Sequence, residues 1–160
     1  MNTVARVQKP ILTDDRKIGR SPFTLMIGLK FVQCQGHTSS YAVESAPELL
    51  DVHETLHGGV IMSLLDAAMA TAALSDVDFL RVVVTLSLSV SFVCLAKGKL
   101  TAIGEVVGSD GAICRCKGKV FNKEGRLIAT AIASFKYQNK IVPSNDATSA
   151  RSRDTTYMSS

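Results

Sequence analysis

Residues 57–74, HGGVIMSLLDAAMATAAL, decide the fold. From Val60 to Leu74 the only polar side chains are Ser63, Asp66 and Thr71. A helix apolar on every side is normally buried, so the remaining elements must wrap it. At ~1.5 Å rise per residue, fifteen residues give a rod of roughly 22 Å, short of the ~20 apolar residues a bilayer requires, and no membrane span is expected. Asp66 is the anomaly, because an ionisable group in mid-helix costs several kcal/mol to bury (order of magnitude) unless it is paired or wetted.

The elements that could wrap such a helix lie on both sides of it. Ser21-Pro22 opens a short helical turn through Ile27, with Ser at the cap and Pro at the first position. Residues 29–35 and 38–44 pattern as two strands turned at Gly36-His37. Residues 45–56, with Pro47, Glu48, Asp51 and Glu54, form a loop that brings negative charge to the positive end of the helix. A polar connection spans residues 75–81. After it Val84, Leu86, Leu88, Val90 and Phe92 alternate with Thr85, Ser87, Ser89 and Ser91, which predicts a long strand with one apolar face. The Ser/Thr phase, too polar for a core and too small for a charged surface, predicts an outer face that meets another copy. Residues 100–107, 112–121 and 126–137 continue as an antiparallel meander joined by turns at residues 108–111 and 122–125. Ala129, Ala131 and Ala133 share one phase of the last strand and allow a helix to approach closely. The expected architecture is α+β: one long central helix wrapped by a curved antiparallel sheet of about six strands.

Composition narrows the function. One domain suffices for 160 residues that are 46% hydrophobic. The net charge of +4 comes from the ends, since residues 21–78 carry −6 and residues 79–137 carry +6. This is weak support for nucleic acid, and none is expected as a partner; a small polyanion could meet the second half. Cys34, Cys94, Cys114 and Cys116 occur without a secretory hydrophobic region, so reduced thiols and a cytoplasmic location are expected. The basic residues at 6–20 leave mitochondrial import open. No set of ligands for a metal is complete. Residues 1–20 are expected to be a flexible segment and residues 138–160 a disordered tail.

Chemistry concentrates at the start of the helix. His57, Gly58 and Gly59 leave backbone N–H groups unscreened at the positive end of the dipole, which suits a developing oxyanion. Asp66 lies nine positions beyond His57, ~900° around a continuous helix, so if His57 is itself helical the two point apart and a shared site needs two chains.

The segments TLHGGVIMSLLDAAMATAA (55–73), VVTLSLSVSF (83–92), AKGKLTAIGEVV (96–107) and GRLIATAIASF (125–135) together resemble the hotdog-fold acyl-CoA thioesterases of the phenylacetate-type (PaaI-like) branch. The resemblance covers residues 21–137. It implies hydrolysis of an acyl-CoA thioester to free acid and coenzyme A, with no cofactor beyond the coenzyme A of the substrate. It also implies a homo-oligomer, commonly a dimer of dimers, with sites at protomer interfaces. Carried over by position, Gly59 offers its N–H to the thioester oxygen, His57 shapes the turn and contacts the thioester, Asp66 from the partner chain is base or nucleophile, and Thr85 positions water or the carboxylate. Asp51, Gly58 and Ser63 stand where substrate is held, and Lys97 and Lys99 are the basic residues proposed for the coenzyme A phosphates. Relatives tend to carry Asn six residues before the His and Gly three before it. Here these are Asp51 and Glu54, which replaces an amide donor with an acceptor-only carboxylate. Two alternatives remain open: an acyl-CoA-binding or regulatory hotdog protein without turnover, and a hotdog enoyl hydratase or dehydratase.

Overall fold

The structure is a computed structural model that describes residue 18 and residues 20–139. The expected loose N-terminal segment and disordered tail lie almost wholly outside the described residues. Gln138, placed in the tail by sequence, belongs to the last strand.

Helix α1 (Pro22–Met26) is closed by a capping box between Ser21 and Thr24, as the Ser-Pro signal predicts. Strands β1 (Lys30–Gln35) and β2 (Thr38–Val43) form a hairpin turned at Gly36, whose φ of 58° explains the glycine. A 3-10 turn at Pro47–Leu49 leads to helix α2 (Gly58–Asp76). Then come β3 (Val82–Phe92), β4 (Leu100–Ser109), β5 (Ile113–Asn122) and β6 (Leu127–Gln138). All six strands join one antiparallel sheet in the order β1-β2-β4-β5-β6-β3. This is the α+β hotdog architecture expected from sequence.

Helix α2 has 19 residues, two beyond the expected end and long and apolar enough to cross a membrane by composition alone. Its surroundings argue otherwise: Leu64, Leu65, Ala68, Met69, Ala72 and Ala73 are fully buried against the sheet. Glycine makes that approach possible. A Cβ on Gly104 of β4 would lie 2.5 Å from the Ala68 carbonyl carbon, and one on Gly118 of β5 2.9 Å from Leu65. Buried hydroxyls secure the contact, with Ser39 donating to the Ala68 carbonyl at 2.6 Å and Tyr41 sharing a hydrogen bond with Thr71 at 3.0 Å.

The alternation of β3 is not unbroken. A bulge between Thr85 and Ser87 interrupts its pairing with β6. Thr85 stands opposite the core residue Phe135 and so faces the helix, while Ser87 stands opposite Ser134 on the outer face and bonds it at 2.6 Å. Leu88 and Val90, opposite Ala133 and Ala131, return to the inside. Thr85 therefore does not share a face with Ser87, Ser89 and Ser91, because the extra residue at Leu86 reverses the phase. Beyond β3 the sheet is open, and Val84, Leu86 and Phe92 are exposed along that edge.

Candidate active site

His57 is the N-cap of α2, with φ −56° and ψ 135°, and not a helical residue. The angular argument from His57 to Asp66 thus does not apply. Gly59 and Asp66, seven apart and ~700° around the helix, fall on the same face. Both line one open cleft of about 830 Å³, with Ser63, Thr85, Ala67 and Ala70. Seven residues nevertheless separate them by roughly 10 Å along the axis, too far for one carbonyl group to touch both within a chain.

Asp66 is half-buried, and the Thr85 hydroxyl donates to its Oδ1 at 2.9 Å. The bulge in β3 makes this contact possible. Burial raises the Asp66 carboxyl above the usual carboxylate range, and the Thr85 hydrogen bond opposes that rise in part. A carboxylate so placed holds a proton more readily than a solvated one, as a general base requires.

At the helix start, the Gly59 N–H donates to Nδ1 of its own neighbour His57 at 2.9 Å. The imidazole therefore carries its proton on Nε2. The amide assigned by resemblance to the thioester oxygen is thus engaged by the imidazole in this conformation. Gly58, the first helical residue, has no N–H partner among the described residues. It lines a second cleft of about 330 Å³ with Asp51, Phe92, Cys94 and Leu95. The expected substrate-holding residues are divided between the clefts: Ser63 faces the first, with its hydroxyl donating to the Gly59 carbonyl, and Asp51 and Gly58 face the second.

Asp51 serves its own loop. Its Oδ1 accepts from the N–H groups of His53 (2.9 Å) and Thr55 (3.1 Å), and its Oδ2 accepts from the Thr55 hydroxyl (2.9 Å). The hydrogen bond from the Thr55 N–H, with the others, holds its carboxyl below the usual range. Glu54, where relatives tend to carry Gly, has φ 56° and meets Lys97 at 3.6 Å. Lys99 is exposed. Sequence reasoning missed the wall of the main cleft formed by Phe23 and Thr24 of α1 and by Tyr41, and it missed Phe92 and Cys94 in the second. Among the described residues no group of three or more His, Cys, Asp or Glu is placed to hold a metal ion.

The thioesterase superfamily model matches residues 53–129, the segment that runs from the approach loop to the first residues of β6 and contains His57, Gly59, Asp66 and Thr85. The chain carries the hotdog fold. Among solved structures, a conserved protein of Pseudomonas aeruginosa superposes with a TM-score of 0.74 at 21% identity, covering 78% of this chain and 100% of its own. A thioesterase family protein of Silicibacter pomeroyi gives 0.71 at 22% identity, covering 75% and 91%. The PaaI protein of the Escherichia coli phenylacetic acid degradation operon gives 0.69 at 17% identity, covering 74% and 86%. No curated protein matches the sequence significantly. Relative to the superfamily segment, α1, β1 and β2 lie outside the match, so Phe23 and Tyr41 line the cleft from regions that the family model does not cover.

Proposed function

We propose that the chain hydrolyses acyl-CoA thioesters to the free acid and coenzyme A at a site shared by two protomers. The observation that carries this is Asp66: a half-buried carboxylate with a raised pKa, oriented by Thr85 and open to a cleft large enough for substrate. Pairing the open β3 edge with its two-fold copy would set the two α2 helices antiparallel, so that the ~10 Å offset between Gly59 and Asp66 becomes an encounter between chains. Asp66 takes a proton from water, the hydroxide adds to the thioester carbonyl, and backbone N–H groups at the partner's helix start with the His57 Nε2–H hold the oxyanion. Collapse breaks the C–S bond, and the thiolate leaves as coenzyme A after taking up the proton. Direct attack by Asp66 is the variant of this scheme in which the carboxylate itself adds to the carbonyl. Ser63 stiffens the first turn, and Lys97 and Lys99 stand ready for phosphate.

A second reading, acyl-CoA binding without turnover, draws on two observations. The Asp51 side chain has no N–H to offer and is committed to its loop, and the Gly59 amide is engaged by His57. Release of free thiol from a panel of acyl-CoAs separates the two. Catalytic turnover that Asp66→Asn abolishes supports hydrolysis, and saturable binding with no thiol released supports the binder.

A further inference from the structure

We infer that Arg81 is a positioning residue: by pinning the first half of β3 to β6 it keeps Thr85 on the helix side of the sheet, where its hydroxyl reaches Asp66. This deepens the thioesterase reading and rests on it for the rate measurements alone.

The amino-acid pattern does not choose the register that places Thr85 there. Val82, Val83 and Val84 are interchangeable, and the alternation of Val84, Leu86, Leu88 and Val90 favours all four on the helix side. The strand does otherwise. Val83 and Thr85 stand opposite Tyr137 and Phe135 and face inward, while Val84 and Leu86 remain 44% and 51% exposed. Sliding the first half of β3 one residue along β6 would set Leu86 opposite Phe135 and Val84 opposite Tyr137. The bulge would close, both apolar side chains would turn inward, and Thr85 would face outward opposite Lys136. Because β3 ends the sheet and pairs only with β6 in the protomer, no second ladder resists that slip.

Arg81, the residue before the strand, makes contacts that the slip breaks. Its Nη1 donates to the Gly111 carbonyl at 2.9 Å and its Nη2 to the Tyr137 carbonyl at 3.4 Å, and the guanidinium lies 5.2 Å from the centre of the Tyr137 ring. A planar fork holds two carbonyls only in one position. A shift of one residue, ~3.3 Å, carries it off both and turns the side chain to the other face. The second half of β3 is held independently, with Leu88 and Val90 packed on the core and Ser87 bonded to Ser134. Leu86 is thus the residue left over between two segments fixed out of step.

The consequence reaches Asp66 through one contact, the Thr85 bond at 2.9 Å. Among the residues lining the cleft the other titratable groups are Arg20, ahead of α1, and Tyr41 of β2, whose hydroxyl is shared with Thr71. Burial raises the Asp66 carboxyl and the Thr85 bond lowers it. Losing that bond and bringing Leu86 inward would both push it up.

The test is Arg81→Ala, with Arg81→Lys as the variant that keeps the charge without the fork. Cross-strand NMR contacts on the full chain report the register, a carbon-13 titration reports the Asp66 carboxyl, and kcat/KM for thiol release reports the acid limb. In the wild type Val84 should contact Lys136. In Arg81→Ala that contact should pass to Thr85 while the Asp66 titration and the acid limb move to higher pH, with Arg81→Lys in between. Adding Leu86→Ala removes the apolar gain of the slip and should restore register and titration. Arg81→Ala combined with Thr85→Val should match Thr85→Val alone in kcat within about twofold, the resolution of such a cycle. Ser134→Ala, in the half held by Leu88 and Val90, should move neither reading. Val84 still opposite Lys136 in Arg81→Ala would overturn the inference, whether or not the titration moves, since Arg81 would then act by charge or not at all. A slipped register with an unmoved Asp66 titration would overturn it as well. If Arg81→Ala does not fold, Arg81→Lys decides by the same readings. If no acyl-CoA is hydrolysed, the hydrolysis reading fails by itself, and the two NMR measurements still decide the role of Arg81.

Discussion

The two ends of α2 are built on opposite rules. At its C-terminal end Asp76 accepts from the Ser109 hydroxyl at 2.7 Å and the Tyr137 hydroxyl at 2.9 Å, and its other oxygen lies 3.1 Å from Nδ1 of His37. Arg81 stacks over the Tyr137 ring at 5.2 Å and donates to the Gly111 carbonyl. Strands β4 and β6 and the turn between β1 and β2 are thereby tied to the helix end through paired groups. At the N-terminal half the pairing is incomplete: one Asp66 oxygen and the Gly58 amide have no partner among the described residues, and both border clefts. A carboxylate with all its neighbours supplied holds structure, and one with a free oxygen over a cleft is available for chemistry.

Asp66→Asn tests the chemical end and should have the largest effect. Asn keeps size and an acceptor for Thr85 but cannot take a proton or attack a carbonyl. The expected loss in kcat is at least about a hundredfold, equivalent to roughly 3 kcal/mol. Stability should move the other way. Because the folded pKa lies above the unfolded one, the ionised carboxylate costs stability as pH rises through the folded value, and at neutral pH the variant should hold or gain in thermal melts. A variant that melts earlier and loses rate only in proportion to its folded fraction would make Asp66 another Asp76.

Tyr137→Phe is the reciprocal test at the structural end. It removes the hydroxyl that bonds Asp76 and the Ala73 carbonyl in a buried setting, at a cost of about 1–3 kcal/mol by denaturant unfolding. The kcat of the folded fraction should not change. A selective loss of kcat without loss of stability would dissolve the contrast between the ends.

Thr85→Val sharpens the picture further. The hydroxyl donates to the charged form of Asp66 and holds its pKa down, so without it the acid limb of the kcat/KM profile should move to higher pH. The plateau should fall only modestly. An unmoved acid limb would mean that Thr85 merely fills the strand.

Much of this was legible in sequence because it depended on local rules. The all-apolar helix demanded a wrapping sheet, the Ser21-Pro22 cap appeared where its signal placed it, and Asp66 stood out as a charge that burial would penalise. The bulge at Leu86 was not legible, since no Gly or Pro marks it and an unbroken alternation conceals it; yet it is what turns Thr85 toward Asp66. Asp51 had a local signature that went unread, an acid followed by Thr55 four residues on, able to cap its own turn. The angle drawn from His57 failed because a capping residue does not follow helical geometry. The cleft wall from α1 and Tyr41 required tertiary structure, as those segments are distant in sequence from the helix they face.

The smallest expected effect concerns the loop that delivers the chain to α2. Glu54 sits at φ 56°, a left-handed conformation that costs a residue with a Cβ roughly 1–2 kcal/mol and costs glycine little. Glu54→Gly should therefore stabilise the fold, and because the unfolded chain gains freedom at the same time, the net gain should be about 0.5–1 kcal/mol. Its ion pair with Lys97 is exposed on both sides and contributes little, so losing it should not cancel the gain. Glu54→Gln separates strain from charge, since it releases Lys97 but keeps the Cβ in the left-handed region. If strain is the cause, the Gly variant melts about 1–3 °C higher and the Gln variant does not. If both rise together, the charge is the cost, and it would come from crowding acids near Asp51, whose lowered pKa already marks that loop as a place where a carboxylate is held by its own backbone. If neither rises, the left-handed residue is carried without penalty, and the glycine that relatives place there serves the approach of substrate and not the backbone of the loop.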